Sequence, residues 1–556
     1  MALEQRWRNF LAQSLLSKLE LIFIFLFCLG ATLWGALQIL SSPHIQESTP
    51  ANIKVYAYAM PNQGWAPLRV YFSAFGTGGE GNEVMRLEWD LDGNGSFETD
   101  ATSNGGYASY VYTKPRTYTI SLRATTGDGQ YAVATTTVTV KHPRSSSVDY
   151  WRVFDDRSIR KIELQLTQAN WDKMMANPMQ KLLVPADAVI FGEEVREVGI
   201  SPKGNSTIGF TPKIPLKIDF NAYHPEQEFH NLKMLLLHNN FGDPTLLREK
   251  MAYDMMRFAG VSASYTSFVE VWVDIVDDAN PAEYLGVYTL VERPDTKYLA
   301  NRFGPANDRG NLYKADAWFE EGAADLAYYG KNIADYPHPR GELAYGLMYK
   351  NPVKADYQDI IDLCYVIDGA EYESPDDFAA ALEEVFNVDI YLRYLAVIFL
   401  TLNFDQYPDT GNNYYLYHHP GTGQFEWIAW DMGNSWGHFG GDFNHPIFGS
   451  KNSLGPLSYR PLFTNVFEVE EYRQDYQAYL DLLIHNYFNQ QRIGTIARGW
   501  SRTIRPHLQS GEGDNMYFGP GAQASLEEFD QGVMELIQLT ARRAKYVSGV
   551  LESGMR

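Results

Sequence analysis

A chain of 556 residues is too long for one ordinary domain and long enough to bury a large core. With 45% hydrophobic residues, 37 tyrosines, 30 phenylalanines and 12 tryptophans, it is not a disordered polypeptide. A formal net charge of -22 argues against nonspecific nucleic-acid binding, because an acidic surface repels a phosphate backbone.

The 2 cysteines, Cys28 and Cys364, make neither a disulfide framework nor a zinc spacing. Leu21 to Leu40 runs without a charged residue and is long enough, as a helix, to cross a bilayer core of about 30 Å. Arg6, Arg8 and Lys18 precede it, and the next positive residue is Lys54. The positive-inside rule therefore predicts a cytoplasmic tail at 1–20, a single-pass transmembrane anchor at 21–40 and an extracytoplasmic remainder. A cleaved signal peptide is the alternative, although its apolar region is usually shorter.

After the polar linker Ser41–Pro50, short runs of alternating residues predict strands at 53–58, 68–72, 118–123 and 132–140, separated by glycine-rich turns. This pattern over 51–142 is an all-β, immunoglobulin-like sandwich. Trp89-Asp90-Leu91-Asp92-Gly93-Asn94-Gly95 and Lys114-Pro115-Arg116-Thr117-Tyr118-Thr119 resemble a PKD-type repeat, a module of secreted proteins. Asp90, Asp92 and Asn94 also look like the start of a calcium loop. The twelfth position is Ala101 rather than a bidentate Glu, so a turn held by side-chain hydrogen bonds is the better reading.

Beyond the linker Arg144–Ser147, residues 151–556 read as one large α/β (α+β) domain. Strands are predicted at 161–166, 188–190, 214–220, 268–275 and 284–292. Asp243 with Pro244 predicts a helix start, and Gly260 its stop. Ser374-Pro375 opens another helix. Asp389 to Leu402 is apolar nearly all round, as in a buried helix, and delivers the chain to Asp405. An amphipathic helix over 525–552 closes the chain.

The most informative stretch is 403–437. Gly411 to Tyr417 and Phe425 to Gly433 flank a Pro420-Gly421-Thr422-Gly423 turn, which predicts a β-hairpin. Pairing about Gly421 sets residue 413 opposite residue 430, at a spacing of about 5 Å. Asn412 or Asn413 and the Asp431 carboxylate then share one end of the ladder, with Asp405 just upstream. Two carboxylates and an amide oxygen at one hairpin end suit Mg²⁺ and a hydroxyl awaiting phosphoryl transfer. A cation for the phosphates is also needed. Lys217, or Lys213 four residues earlier on the same strand face, is a candidate, with Glu249 on the following helix as its partner. Glu292 at a strand end is a further candidate nucleotide contact. The turn Lys203-Gly204-Asn205-Ser206-Thr207 can bring backbone N–H groups to a phosphate, although it is not a Walker A loop. Gly433-Asn434-Ser435-Trp436-Gly437 overlaps the site and fits G-x-S-x-G, but Gly440, Gly441 and Pro446 do not favour the helix that a nucleophile elbow requires.

Several of these segments stand in one order. They are Val198-Gly199 with Lys203-Gly204-Asn205-Ser206, Leu235-Leu236-Leu237, Leu247-Arg248-Glu249-Lys250, Gly286 to Glu292, Gly310-Asn311-Leu312-Tyr313-Lys314, Asn403-Phe404-Asp405, Asn412 to Tyr417, Trp430-Asp431, and Tyr472-Arg473 with Tyr476. In that order, over Arg152 to Leu551, the chain resembles the CotH family of spore-coat-type atypical kinases. The resemblance implies a divergent protein-kinase-like fold and Mg-ATP-dependent phosphorylation of Ser/Thr hydroxyls on a protein substrate. It implies Asp405 as catalytic base, Asp431 as the magnesium-binding acid, and Asn412 or Asn413 as second metal ligand. Lys213 or Lys217, with Glu249 and Glu292, become nucleotide contacts. Gly433 stands where the family often has a second acid, so Asp431-Met432-Gly433 looks like the Asp-Phe-Gly of ordinary kinases. With the anchor, this describes a bacterial cytoplasmic-membrane protein whose bulk lies in the cell envelope. The rival readings are a non-catalytic envelope scaffold or binding protein on the same fold, a serine hydrolase using Ser435, or a carbohydrate-active enzyme.

Overall fold

The computed structural model describes residues 53–508 and 526–553, apart from 67, 78–82, 142–149, 205, 210–212, 319–321, 349–355, 439 and 449–458. The chain divides into two units, Met1–Pro143 and Arg144–Arg556.

The described part of the first unit is a β-sandwich. Lys54–Met60, Leu68–Thr77 and Ala108–Tyr112 form one sheet, in that order. Gln63–Trp65, Tyr131–Lys141, Arg116–Thr126, Val84–Asp90 and Thr99–Asp100 form the other. Alternating burial along Arg116–Thr126 sends Tyr118, Ile120, Leu122 and Ala124 into the core. Trp89 is fully buried there, and its indole donates to the Gly106 carbonyl at 3.0 Å. The acidic turn is held by its own side chains. Asp90 accepts from the backbone of Gly93 (2.8 Å), Asn94 (3.2 Å) and Gly95 (2.8 Å), and Asp92 accepts from Asn94 N at 3.1 Å.

The second unit begins with a closed seven-stranded barrel. Its strands are β1 (Arg160–Leu166), β2 (Val184–Ile190), β3 (Glu193–Pro202), β4 (Leu216–Asp219), β5 (Met234–His238), β6 (Thr266–Ile275) and β7 (Glu283–Val291). They run in the order β2-β3-β4-β5-β7-β6-β1, and β1 then pairs with β2. Only β1 and β6 are parallel. Every second side chain points inward, so Ile162, Leu164, Ile200, Ile218, Leu237, Val271 and Leu290 fill one core. Closure leaves no sheet edge to cover.

Helix α1 (Arg248–Ala259) lies between β5 and β6. It starts later than its sequence suggests. Leu246 sits at φ 56, outside helical space, while Asp243 accepts from Thr245 N (2.9 Å) and Arg248 N (3.0 Å), so residues 243–247 form a capped turn. Gly260, at φ 89, ends the helix as expected.

A five-stranded sheet follows, ordered Ser262–Ala263, β11 (Phe425–Ala429), β10 (Tyr414–His418), β8 (Leu312–Ala315) and β9 (Tyr345–Leu347). Helix α2 (Val388–Thr401) is buried on nearly all sides and packs beneath it. Trp427 of β11 is fully buried against Tyr414, stacked at 4.2 Å, and against Tyr391 and Tyr394 of α2 at 4.8 and 5.0 Å. These rings fix the hairpin on the helix that precedes Asp405.

Helix α3 (Glu470–Asn486), a further helix Gln490–Ile504 and helix α4 (Leu526–Ser553) follow in chain order. Arg543 of α4 is fully buried, and burial brings its guanidinium down to about 10. It donates to the Phe399 carbonyl of α2 at 2.9 Å, to the Phe443 carbonyl at 3.1 Å and to the His445 carbonyl. One side chain thus ties the last helix to the two segments that frame the hairpin. Arg543→Met leaves three carbonyls unpaired and is expected to cost about 3 kcal/mol in urea denaturation. A loss under about 0.5 kcal/mol contradicts that role.

Among the described residues no helix is long and apolar enough to cross a membrane. Even α4 carries Glu527, Glu528, Asp530, Arg542 and Arg543 along its length. This corrects the expected fold class and location. The described chain is a β-sandwich followed by a mixed barrel-and-helix unit with no spanning helix, and Leu21–Leu40 lies outside the described residues.

Candidate functional site

Helix α2 ends at Leu402, whose φ of 54 turns the chain sharply into Asn403-Phe404-Asp405. Gln406 is fully buried and staples this loop to the hairpin. Its amide donates to the carbonyls of Trp430 (3.2 Å) and Asp431 (3.1 Å), and its oxygen accepts from Tyr394 of α2 at 3.0 Å. The hairpin has the expected register: Tyr414 faces Ala429, so Asn413 and Trp430 occupy the next rung.

Asn413 and Asn434 hold Asp405 from both sides. The Asn413 amide donates to the Asp405 carbonyl at 2.8 Å, and the Asn434 amide donates to the Asp405 carboxylate at 3.0 Å. Of the two candidate asparagines, Asn413 is the one that reaches Asp405. Asp431 follows β11 in the left-handed region, at φ 52, and its N–H donates to the Tyr253 hydroxyl of α1 at 3.0 Å. Burial, and then the Asp431 charge, push the Asp405 carboxyl up to about 7, against the hydrogen bonds from Asn434, Thr410 and Asn413. The structure therefore brings Asp405, Asp431 and Asn413 together.

One cation at this site is Lys203, in the loop after β3. Burial lowers its ammonium to about 8, against the opposing pull of the Asp431 and Glu249 charges. Lys203 meets Nε2 of His238, and His238 Nδ1 lies 2.7 Å from Glu249 Oε1. Glu249 of α1 is thus joined to the site lysine through an imidazole. Lys314, on β8, is lowered by burial and feels both Asp316 and Asp431. Two lysines therefore face the Asp431 end of the hairpin.

Three sequence-derived nucleotide contacts lie elsewhere. Lys213 is buried, donates to the Val287 carbonyl at 2.6 Å and lies 4.7 Å from the Tyr288 ring centre. Lys217 stands on the outer side of β4, opposite the core residues Leu216 and Ile218, and is 3.8 Å from Asp219. Glu292 is buried and accepts on one oxygen from the Arg302 guanidinium at 2.9 Å and on the other from Tyr265 N at 3.1 Å. Strand alternation identified which lysines share a face, but not which strand end meets the hairpin. Lys203 was legible only as part of a weak glycine turn. Lys314 ends the segment Gly310–Lys314 with no signal of its own, Asn434 lies inside the hydrolase-like motif, and the sequence around His238 carries no signal.

The serine-hydrolase reading fails on geometry. Ser435 is fully buried, its hydroxyl donates to the Met432 carbonyl at 2.8 Å, and it accepts from Asn403 at 3.2 Å. The segment is a short 3-10 turn, Met432–Asn434, with no helix behind it. A fluorophosphonate is expected to leave Ser435 unmodified in the folded chain; stoichiometric labelling found by peptide mass spectrometry contradicts this.

The sequence model described as CotH kinase protein matches residues 200–547, more than half of the chain. The chain belongs to the CotH family. Inner spore coat protein H of Bacillus subtilis (strain 168) is 23% identical over 370 residues, spanning 65% of this chain and 90% of that protein. Among solved structures, the PKD1 domain of Vibrio anguillarum Epp is 23% identical and covers 18% of this chain and 100% of that one, with a TM-score of 0.13. A HipA–HipB–operator DNA complex of Shewanella oneidensis MR-1 covers 61% of this CotH-family chain and 60% of that one at 10% identity, with a TM-score of 0.23.

Proposed function

We propose that this CotH-family chain transfers the terminal phosphoryl group of Mg-ATP to a Ser or Thr hydroxyl of a protein. The observation that carries the reading is the convergence of Asp405, Asp431, Asn413, Lys203 and Lys314 on one end of a hairpin.

The donor set suits Mg²⁺. Magnesium takes hard oxygen ligands and is commonly bound by one or two carboxylates together with substrate phosphates and water. Asp431 supplies a carboxylate. Asn413 spends its amide N–H on the Asp405 carbonyl, so its side-chain oxygen is the atom it offers to a cation. When bound, Mg²⁺ neutralises charge on the phosphates. Asp405 is the base: in its ionised form it accepts the proton of the acceptor hydroxyl. A group held near 7 suits that task, because it is substantially ionised at neutral pH yet basic enough to take a proton. Asn434 fixes the direction of its carboxylate. Lys203 and Lys314 supply positive charge for the phosphates and orient them toward that hydroxyl.

Incubation with γ-labelled ATP, with and without a Ser/Thr-rich protein acceptor, tests the reading. Label is expected on protein in the presence of Mg²⁺ and not in EDTA. Absence of label under both conditions, at saturating ATP, contradicts it.

A further inference from the structure

We infer that Arg460 is a positioning residue for phosphoryl transfer: its guanidinium clamps the turn that carries Asn413 back to Asp405. The inference rests on the phosphoryl-transfer reading above and extends it to a residue outside the hairpin end.

Between Asp405 and Asn413 the chain makes one short helix, Tyr407–Thr410, and leaves it at Gly411. The carbonyls in the last turn of a helix are open to donors from outside it. Arg460 supplies them. Its Nε donates to the Tyr407 carbonyl at 2.9 Å and its Nη2 to the Asp409 carbonyl at 3.4 Å, while Nη1 donates to the carbonyl of its neighbour Tyr459 at 2.8 Å. Gly411 lies flush against the same group. At φ 65, a Cβ there would stand 2.8 Å from Arg460 Nη2 and 2.9 Å from its Cζ, so both the backbone angle and the close approach call for glycine. Two residues on, Asn413 also takes a left-handed φ, of 60, and its amide reaches the Asp405 carbonyl at 2.8 Å. The guanidinium thus sets the path on which Asn413 returns to Asp405.

Arg460 is itself held in place. It is buried, and its own carbonyl accepts from Thr464 N at 3.0 Å and from the Thr464 hydroxyl at 3.2 Å, at the start of the helix Pro461–Val466. Phe463 of that helix stacks on Phe399 of α2, with ring centres 5.7 Å apart. Helix α2 also delivers the chain to Asp405, so the clamp and the base are fixed on one helix. The positive charge has a use as well. Asp409 is buried, and among the described residues its Oδ1 has no hydrogen-bond partner. Arg460 favours the charge of that carboxylate, which burial and Asp405 oppose. An apolar side chain at 460 would remove three hydrogen bonds and this counter-charge together.

The test measures transfer from γ-labelled ATP by the full chain for wild type, Arg460→Lys and Arg460→Ala. Rates are expressed per nucleotide site, counted by titration with a fluorescent ATP analogue. A merely structural arginine lowers the number of sites and the melting temperature but leaves the rate per site unchanged. Arg460→Lys keeps the charge but gathers its donors on one nitrogen, which does not span carbonyls on three sides. Both variants are expected to lose roughly 10- to 100-fold in kcat per site, with nucleotide affinity in EDTA within about threefold of wild type, because Lys203 and Lys314 are untouched. Guanidinium chloride far below denaturing concentration is expected to restore transfer to Arg460→Ala by at least about threefold, and not to Arg460→Lys, whose side chain fills the site. Arg460→Lys decides the matter if Arg460→Ala does not fold. A kcat per site within about threefold of wild type in either folded variant, or an Arg460→Ala enzyme unresponsive to guanidinium, overturns the inference and leaves the phosphoryl-transfer reading standing. Wild type that transfers no label overturns both.

Discussion

Asp405→Asn is expected to lower phosphoryl transfer by roughly 10²- to 10⁴-fold, the range typical of a positioned general base, while Mg-nucleotide binding changes little. Asparagine matches the shape of the carboxylate and can still accept the Asn434 hydrogen bond, but it cannot take the hydroxyl proton. The same substitution is expected to stabilise the metal-free protein at pH 8. Burial and the Asp431 charge hold the Asp405 carboxyl at about 7 in the folded state, above an unfolded value of about 3.9. A carboxyl raised in this way favours the fold below its unfolded pKa, and that contribution is lost as pH rises through 7. At pH 8 the ionised group therefore opposes folding, by an amount that its partial exposure reduces to roughly 2 kcal/mol. Thermal melts in EDTA should place Asp405→Asn above wild type at pH 8 and close to it near pH 4. Equal melting at pH 8, or unchanged transfer, contradicts the assignment.

Asp431→Asn is the informative change at the second acid. Asp431 lies at φ 52, where alanine is strained and asparagine is tolerated, so Asp431→Ala mixes a backbone effect with the loss of a ligand. Asp431→Asn is expected to remove the magnesium-dependent part of nucleotide affinity, a loss of at least about tenfold, leaving the weaker contribution of Lys203 and Lys314. Titrations with and without Mg²⁺ then coincide for the variant and differ for wild type. A variant that retains the wild-type magnesium dependence rules out Asp431 as the metal ligand.

The hairpin was legible because its information is local. A Pro-Gly turn and two aromatic runs fix the register, and the register puts Asn413 opposite Trp430 whatever the rest of the chain does. The buried helix before Asp405 was legible for the same reason: Val388–Thr401 is apolar around its whole circumference. The barrel was not. β1 and β6 close it by parallel pairing of segments about a hundred residues apart, and the alternation in each strand is the same in an open sheet as in a closed one. The lysine assignments failed on the same distinction. Lys213 and Lys217 have the expected spacing, yet the first is consumed by the Val287 carbonyl and the second lies on the outer face of its strand. Lys203, just beyond a strand end, reaches the hairpin because the barrel closes. The start of α1 is not legible because Asp243 caps a turn in which Leu246 leaves helical space before the helix begins.

A crystal structure with Mg²⁺ and a non-hydrolysable ATP analogue decides whether the hairpin end is a nucleotide site. A metal ion is expected about 2.1 Å from an Asp431 carboxylate oxygen and from the Asn413 side-chain oxygen, with the phosphates against Lys203. A nucleotide bound away from the 405–431 hairpin end, or none at saturating concentration, contradicts it.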